Sequence, residues 1–333
     1  MHYFDVFNGD ADGLCGLHQL RLVEPREATL ITGVKRDIAL LQQVPLVPGA
    51  VVTVLDVSLD RNRGALTALL DAGAQVDYFD HHRAGDIPRH AALRAHIDTA
   101  ADVCTSVLVD RHLDGAQRIW AVVGAFGDNM DEAARSLAAT LDLQESQIAA
   151  LQELGQCLNY NAYGDCAQDL FIAPAELYRQ VRRHNDPFRF MALAPAFSDI
   201  RQGCQDDLAQ ALQREPYITC DGGQLFLLPD APWSRRVNGT YGNALARRAP
   251  DQAHAVLTAG SHGTFMVSVR APLRDPHGAD RLCRAFAGGG GREAAAGIDS
   301  LEPQQLAQFV SAFERIFGPA ALKKIPVGNR LAT

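Results

Sequence analysis

Short apolar runs of strand length alternate with helically spaced apolar positions through roughly the first 130 residues. Tyr3 to Phe7, Val51 to Leu55 and Val76 to Phe79 are the strand-like runs. Leu14 to Val23, Arg61 to Leu70 and Thr105 to Leu113 carry the helical spacing. This alternation predicts a parallel sheet with crossover helices. Trp120 to Phe126 is a fourth apolar run, read as ending at the same edge of the sheet as the other three. Ala133 to Gln156 is rich in Ala, Leu and Gln and predicts a helix with a break. Another helix begins in Ala173 to His184, and Ser198 to Gln213 predicts one polar connecting helix.

The pattern then changes. Tyr217 to Cys220 and Gln224 to Leu228 flank Asp221-Gly222-Gly223, a hairpin signal. Ala255 to Ala259 and Thr264 to Arg270 flank Gly260-Ser261-His262-Gly263, a second one. Asp280 to Phe286 predicts a short helix running into Gly288 to Gly291 and Arg292. The fold class is therefore α/β: a parallel-sheet domain over 1–195, a linker helix over 196–215 and a smaller α+β domain over 216–333.

The chemistry sits just past the end of each apolar run. The runs lead into Asn8-Gly9-Asp10-Ala11-Asp12-Gly13, into Asp56, into Asp80-His81-His82 and into Gly127-Asp128-Asn129. Ligands of an open α/β sheet collect at the carboxyl ends of its strands, so these residues are expected to share one crevice. Carboxylates and imidazoles with almost no basic residue among them would repel one another unless cations were bound.

Each motif also has a purely structural reading. Asp10 and Asp12 fit an acidic turn before a helix, and Asp56 fits a helix cap with Ser58 nearby. Asn8-x-Asp10-x-Asp12-Gly13 matches the start of a calcium loop, but the twelfth position is Gln19 rather than glutamate and the preceding run is a strand. Asp80-His81-His82 is sharper, because adjacent histidines beside an aspartate seldom serve packing. One imidazole can ligate a metal with Asp80 orienting it, while the other faces substrate. On an extended segment the two side chains should point in different directions. Gly289, Gly290 and Gly291 let backbone approach a phosphate, with Arg292 and more weakly Arg270 adding charge. Tyr160 and Tyr163 are candidates to stack on a base.

Composition narrows the field. The chain of 333 residues is 47% hydrophobic and 21% charged, as an ordinary globular protein is. Its net charge of −8 disfavours an enzyme that tracks a long nucleic-acid backbone. Seven scattered cysteines without a C-x-x-C pair argue against disulfides and zinc. No apolar stretch reaches the ~18 residues of a membrane span, and the first residues do not resemble a signal peptide, so a cytoplasmic location is expected.

Taken in order, these motifs resemble the DHH phosphoesterase superfamily with its associated C-terminal domain. The family is named for the triplet present here as Asp80-His81-His82, and its D-x-D-G motif is present as Asp10 to Gly13. The resemblance implies that Asp10, Asp12, Asp56, His81 and Asp128 bind two manganese ions, with magnesium as the alternative. Asp56 would bridge them and His82 would contact the scissile phosphate. The glycine run is similar to the family's G-G-G-H signature, with Arg292 where the histidine belongs. Two further positions depart: Val6 stands where many members have histidine, and Asn8 where exonuclease-type members have aspartate. Asn8 is then a neutral ligand, or one metal is held more weakly. The expectation is a phosphodiesterase or phosphatase acting on a small nucleotide. Its rivals are an inorganic pyrophosphatase, whose S-R-K-K-Q signature is absent, and a non-catalytic nucleotide-binding regulator.

Overall fold

The computed structural model describes residues 2–260 and 263–318, so Ser261 and His262 of the second hairpin tip lie outside the described residues. The chain divides between Asp207 and Leu208 into two compact units. The first holds β1 (Tyr3–Asn8), α1 (Ala11–Val23), β2 (Thr29–Gly33), β3 (Val51–Leu55), α2 (Leu59–Asp71), β4 (Gln75–Asp80) and β5 (Leu93–Ile97). Helices α3 (Thr105–His112), α4 (Arg118–Gly127), α5 (Asp131–Ala138), α6 (Glu145–Asn161), α7 (Pro174–Val181), α8 (Pro187–Leu193) and α9 (Pro195–Leu212) come after them. The division falls inside α9, the predicted polar helix.

All five strands are parallel, in the order β2-β1-β3-β4-β5. Side chains alternate across the sheet and feed two cores. Phe7, Leu55 and Phe79 enter one, with α1, α3, α4 and α6. Phe4, Val6, Val52, Val54, Val76 and Tyr78 enter the other, against Leu66 and Leu69 of α2. Burial on both faces explains why the central strands read as near-continuous apolar runs. The edge strands β2 and β5 are partly exposed and carry Thr, Arg and His, so no such run announces them.

Register places the chemistry. Phe7 pairs with Leu55 and Leu55 with Phe79, so Asn8, Asp56 and Asp80 end neighbouring strands at one level.

Trp120 to Phe126 is not a strand. It is the body of α4, buried without interruption from Trp120 to Gly127. A helix surrounded by other helices loses its polar face, and then periodicity no longer separates it from a buried strand. Gly127 permits the close packing: a Cβ there would lie 2.2 Å from the Cβ of Ala11. Asp128 therefore reaches the site from a helix end.

The second unit is one mixed sheet, in the order β10-β11-β9-β8-β7-β6. Its elements are β6 (Ile218–Cys220), β7 (Gly223–Leu228), α10 (Pro232–Arg248), β8 (Ala253–Ala259), β9 (Phe265–Arg270), α11 (Ala279–Cys283), β10 (Gly289–Gly291), β11 (Ala295–Leu301) and α12 (Leu306–Phe317). Both predicted hairpins form, as β6–β7 and β8–β9. Among the described residues of this unit only β7 and β8 run parallel, joined by the crossover helix α10.

Candidate metal centre

Asp10 caps α1, its Oδ1 accepting the N–H groups of Asp12 and Gly13 at 3.0 and 3.1 Å. Asp12 sits in the first turn. Its two oxygens accept the N–H groups of Thr105 and Ser106, both at 2.7 Å, at the start of α3. Asp56 follows β3 with φ +58°, in the left-handed region that residues other than glycine adopt infrequently. The Thr105 hydroxyl donates to it at 3.2 Å. Three parts of the chain are thereby tied to one point.

His81 is that point. Its Nε2 lies 3.5 Å from Asp56 Oδ1, 3.7 Å from Asp128 Oδ2 and 4.0 Å from Asp12 Oδ2. Ligand atoms of Asp12, His81 and Asp128 fall within 4.8 Å of one another, as do those of Asp56, His81 and His82. Carboxylate oxygens and imidazole nitrogens so disposed suit a hard divalent cation such as manganese or magnesium.

Within the triplet, the backbone geometry and the partner of Asp80 differ from expectation. β4 ends at Asp80, so His81 and His82 lie beyond the extended segment and the alternation rule does not apply. Their rings stand side by side, 4.4 Å between centroids. Asp80 holds His82 rather than His81: its Oδ1 is 2.7 Å from His82 Nδ1 and 3.1 Å from the His82 N–H. Half-exposed His82 is left with Nε2 for other partners.

Burial and mutual repulsion shape the charges. Burial, then Asp10 and Asp12, push Asp56 well above the usual carboxylate range. Burial and Asp12 push Asp128 up to about 6, against the pull of Lys35. The Asp80 hydrogen bond, opposed by burial, raises His82. Asp10 moves the other way: burial would raise it, but the Lys35 ammonium and the Gly13 N–H outweigh that and leave it lowered.

Lys35 is the side chain of the cluster that sequence reasoning missed. The expectation of a cluster with almost no basic residue is corrected by its Nζ, 2.5 Å from Asp10 Oδ2 and 3.6 Å from Asp128 Oδ1. It comes after β2, the edge strand without an apolar run, and the scarcity of lysine in the chain was the available signal.

Asn8 lies in the cluster with its amide engaged, Oδ1 accepting the Asp10 N–H and Nδ2 donating to Lys35 O. Tyr160 is no base-stacking platform: it is buried, its hydroxyl donating to Asp207 at 2.7 Å. The Tyr163 hydroxyl accepts from Asn159.

The remaining candidates belong to the second unit. Gly289 to Gly291 form the edge strand β10 rather than a loop. Gly289 has a packing reason, since a Cβ there would meet Cys283 O at 1.8 Å, and Gly291 has φ +136°. Gly290 faces open space. Arg292 is exposed in the turn to β11. Arg270 pairs with Ala295 at the same end of the sheet, its guanidinium donating to Asn243, Ser268 and Gly239.

No family model and no curated protein sequence matches the chain. Solved structures do. Exonuclease RecJ bound to manganese matches over 94% of this chain and 89% of its own, at TM-score 0.57 and 17% identity. The DHH domain of a member of a family of ribosomal proteins matches over 94% and 86%, at TM-score 0.60 and 14% identity. This chain has the DHH fold. A third DHH-fold match is the pGpG-specific phosphodiesterase PggH from Vibrio cholerae, over 94% and 97%, at TM-score 0.51 and 14% identity.

Proposed function

We propose that this chain is a divalent-metal-dependent phosphoesterase that hydrolyses small nucleotide substrates, such as short oligonucleotides, dinucleotides or phosphorylated nucleotides. The observation that carries the reading is the approach of three carboxylates from β3, α1 and the end of α4 to one imidazole nitrogen. A buried anionic set of this kind is stabilised by a cation. Asp12, Asp56, His81 and Asp128 would hold the ion, with manganese as the proposed occupant and magnesium as the alternative. Such an ion supplies Lewis-acid polarisation of a phosphoryl oxygen and acidifies the attacking water. How many ions the centre takes turns on Lys35.

The chain's own groups do the rest. Asp80 fixes the ring of His82 and favours its protonated form, in which Nε2 would donate to charge that develops on phosphorus or on the leaving oxygen. Asp12 is held rigidly by α3, and Asp56 by Thr105, which preorganises the donor set. Gly290, Arg292 and Arg270 would bind a distal phosphate, with Gly289 and Gly291 shaping the strand. The net charge of −8 supports a short substrate over a long polymer. Among the relatives of the fold, PggH is described as specific for pGpG and RecJ as an exonuclease. Among the described residues no helix is long and apolar enough to cross a membrane, and a cytoplasmic site of action is part of the proposal.

Turnover of a phosphoester panel with manganese tests the reading. The panel should hold pGpG-type dinucleotides, short and long single strands, nucleoside 3′-phosphates and pyrophosphate. Hydrolysis of dinucleotides faster than long strands is expected. Preference for pyrophosphate or long strands rejects the substrate class, and no turnover of any member rejects the enzyme.

A further inference from the structure

The carboxylates of the centre do not all face the same neighbours. Asp12, Asp56 and Asp128 converge on His81, whereas Asp10 points its Oδ2 at Lys35 Nζ, 2.5 Å away. That contact is built, not casual. The Lys35 N–H donates to Ala162 O at 2.9 Å, and Lys35 O accepts from Asn8 Nδ2 at 3.1 Å. Its ammonium also donates to Asn159 Oδ1 at 3.0 Å, and the Asn159 amide is oriented in turn by donating to the Tyr163 hydroxyl at 2.9 Å. With Asp128 Oδ1 at 3.6 Å, the charge sits among oxygens from the start of α1, from α6 and from the end of α4. Asn8 completes the arrangement, because one end of its amide takes the Asp10 N–H while the other holds the Lys35 carbonyl.

We propose that Lys35 takes the place of a second metal ion: the centre binds one divalent ion, at Asp12, Asp56, His81 and Asp128, and the Lys35 ammonium on Asp10 is the fixed positive charge of the opposite flank. This rests on the metal-centre reading above. The argument is one of charge and occupancy. Asp10, the carboxylate that would have to hold a second ion, already has a cation on it. The side chain at the neighbouring strand end is a neutral amide whose two ends are engaged. A second divalent ion would have to break the Lys35–Asp10 contact and then sit against a displaced ammonium. A lysine cation is always present, so this part of the centre's positive charge would not depend on metal supply.

Native mass spectrometry and calorimetric titration of the full chain with manganese chloride, without substrate, test the assignment. Electron paramagnetic resonance adds a readout of coupling between paired ions. One ion per chain and no coupled spectrum are expected for the unaltered protein and for Lys35→Arg, which keeps the charge. Lys35→Met should bind two, and Asn8→Asp with Lys35→Met should bind the second more tightly and show coupling. If Lys35→Met fails to fold by circular dichroism, Lys35→Gln carries the same comparison with an amide in place of the ammonium. Two ions in the unaltered protein overturn the proposal, and so does a single ion in all charge-removing variants. Binding of no ion by any form overturns the metal-centre reading as well. A phosphoester panel that shows no turnover, with the predicted ion counts intact, rejects only the enzymatic reading.

Discussion

The two units gather their candidate residues in opposite ways. In the first unit, residues from positions 10 to 128 reach one point, and nearly every one is held by a second group. Asp12 rests on two N–H groups of α3, Asp56 on Thr105, His82 on Asp80 and Lys35 on Asn8, Asn159 and Asp10. In the second unit, Arg270 on β9, Gly290 on β10 and Arg292 in the turn between β10 and β11 belong to one sheet, and Arg292 is exposed. Tight anchoring of buried charge is what metal chemistry requires, because a misplaced donor there costs affinity outright. Exposed arginine on a sheet rim suits adjustable binding of a phosphate. On the proposed reading, the first unit serves chemistry and the second recognition.

Breaking the first unit should have the largest effect. His81→Ala removes the nitrogen on which three carboxylates converge, leaving their repulsion unrelieved. Manganese affinity should fall by more than about 100-fold and turnover should be abolished. Isothermal titration checks the first, and retained affinity would remove His81 from the ligand set.

His82→Ala should cost about 10²–10³ in turnover while manganese binding stays nearly intact. Asp80 already occupies the Nδ1 that lies toward Asp56, which is the reason to separate its role from that of its neighbour. Equal loss of metal affinity in both variants would show that the two adjacent rings act as one ligand pair.

The Asp128 carboxyl gives a pH signature next in size. Its pKa in the metal-free protein is about 6, so it holds a proton below that pH and a metal must displace it. Metal affinity should therefore weaken as pH falls below about 6, by up to about tenfold per unit from this group. Titrations from pH 5 to 8, a range of about three units around that value, test the sign. Affinity that is flat across them counts against Asp128 as a ligand.

In the second unit, Arg292→Ala and Arg270→Ala should each raise KM about tenfold and change kcat little, since they remove binding that is equal in ground and transition states. A pure loss of kcat would contradict the division between the units. Arg270→Ala also unseats contacts to Asn243 and Gly239, so its melting temperature should be measured beside its kinetics.

The smallest effect should be the same in both units. Burial lowers His18 in α1 and His254 in β8 to about 4 each. Each must charge on unfolding below its ordinary pKa of 6.5, so their stabilising contribution is full above pH 6.5 and is lost as pH falls toward 4. Calorimetry between those limits should show both units losing melting temperature by several degrees. A loss confined to one unit would break the symmetry.

The strand ends could be read from local pattern alone. Burial on both faces forces an apolar run, the run must stop where the sheet stops, and Asp10, Asp56, Asp80 and His81 come at or just past that stop. Their meeting was legible because parallel strands in register end at one level. The glycine-flanked hairpins of the second unit were legible for a local reason too, since their turns are written in residues next to one another. Where burial left no contrast, as in α4, local pattern failed, and the arrival of Asp128 from a helix end was decided by packing against α1 and α6. The same holds for the triplet, where the end of β4 freed both histidines from the alternation of a strand. Lys35 was beyond reach of any local reading. It follows an edge strand without a pattern, and a charge can be assigned a role only once the fold shows which opposite charges lie around it.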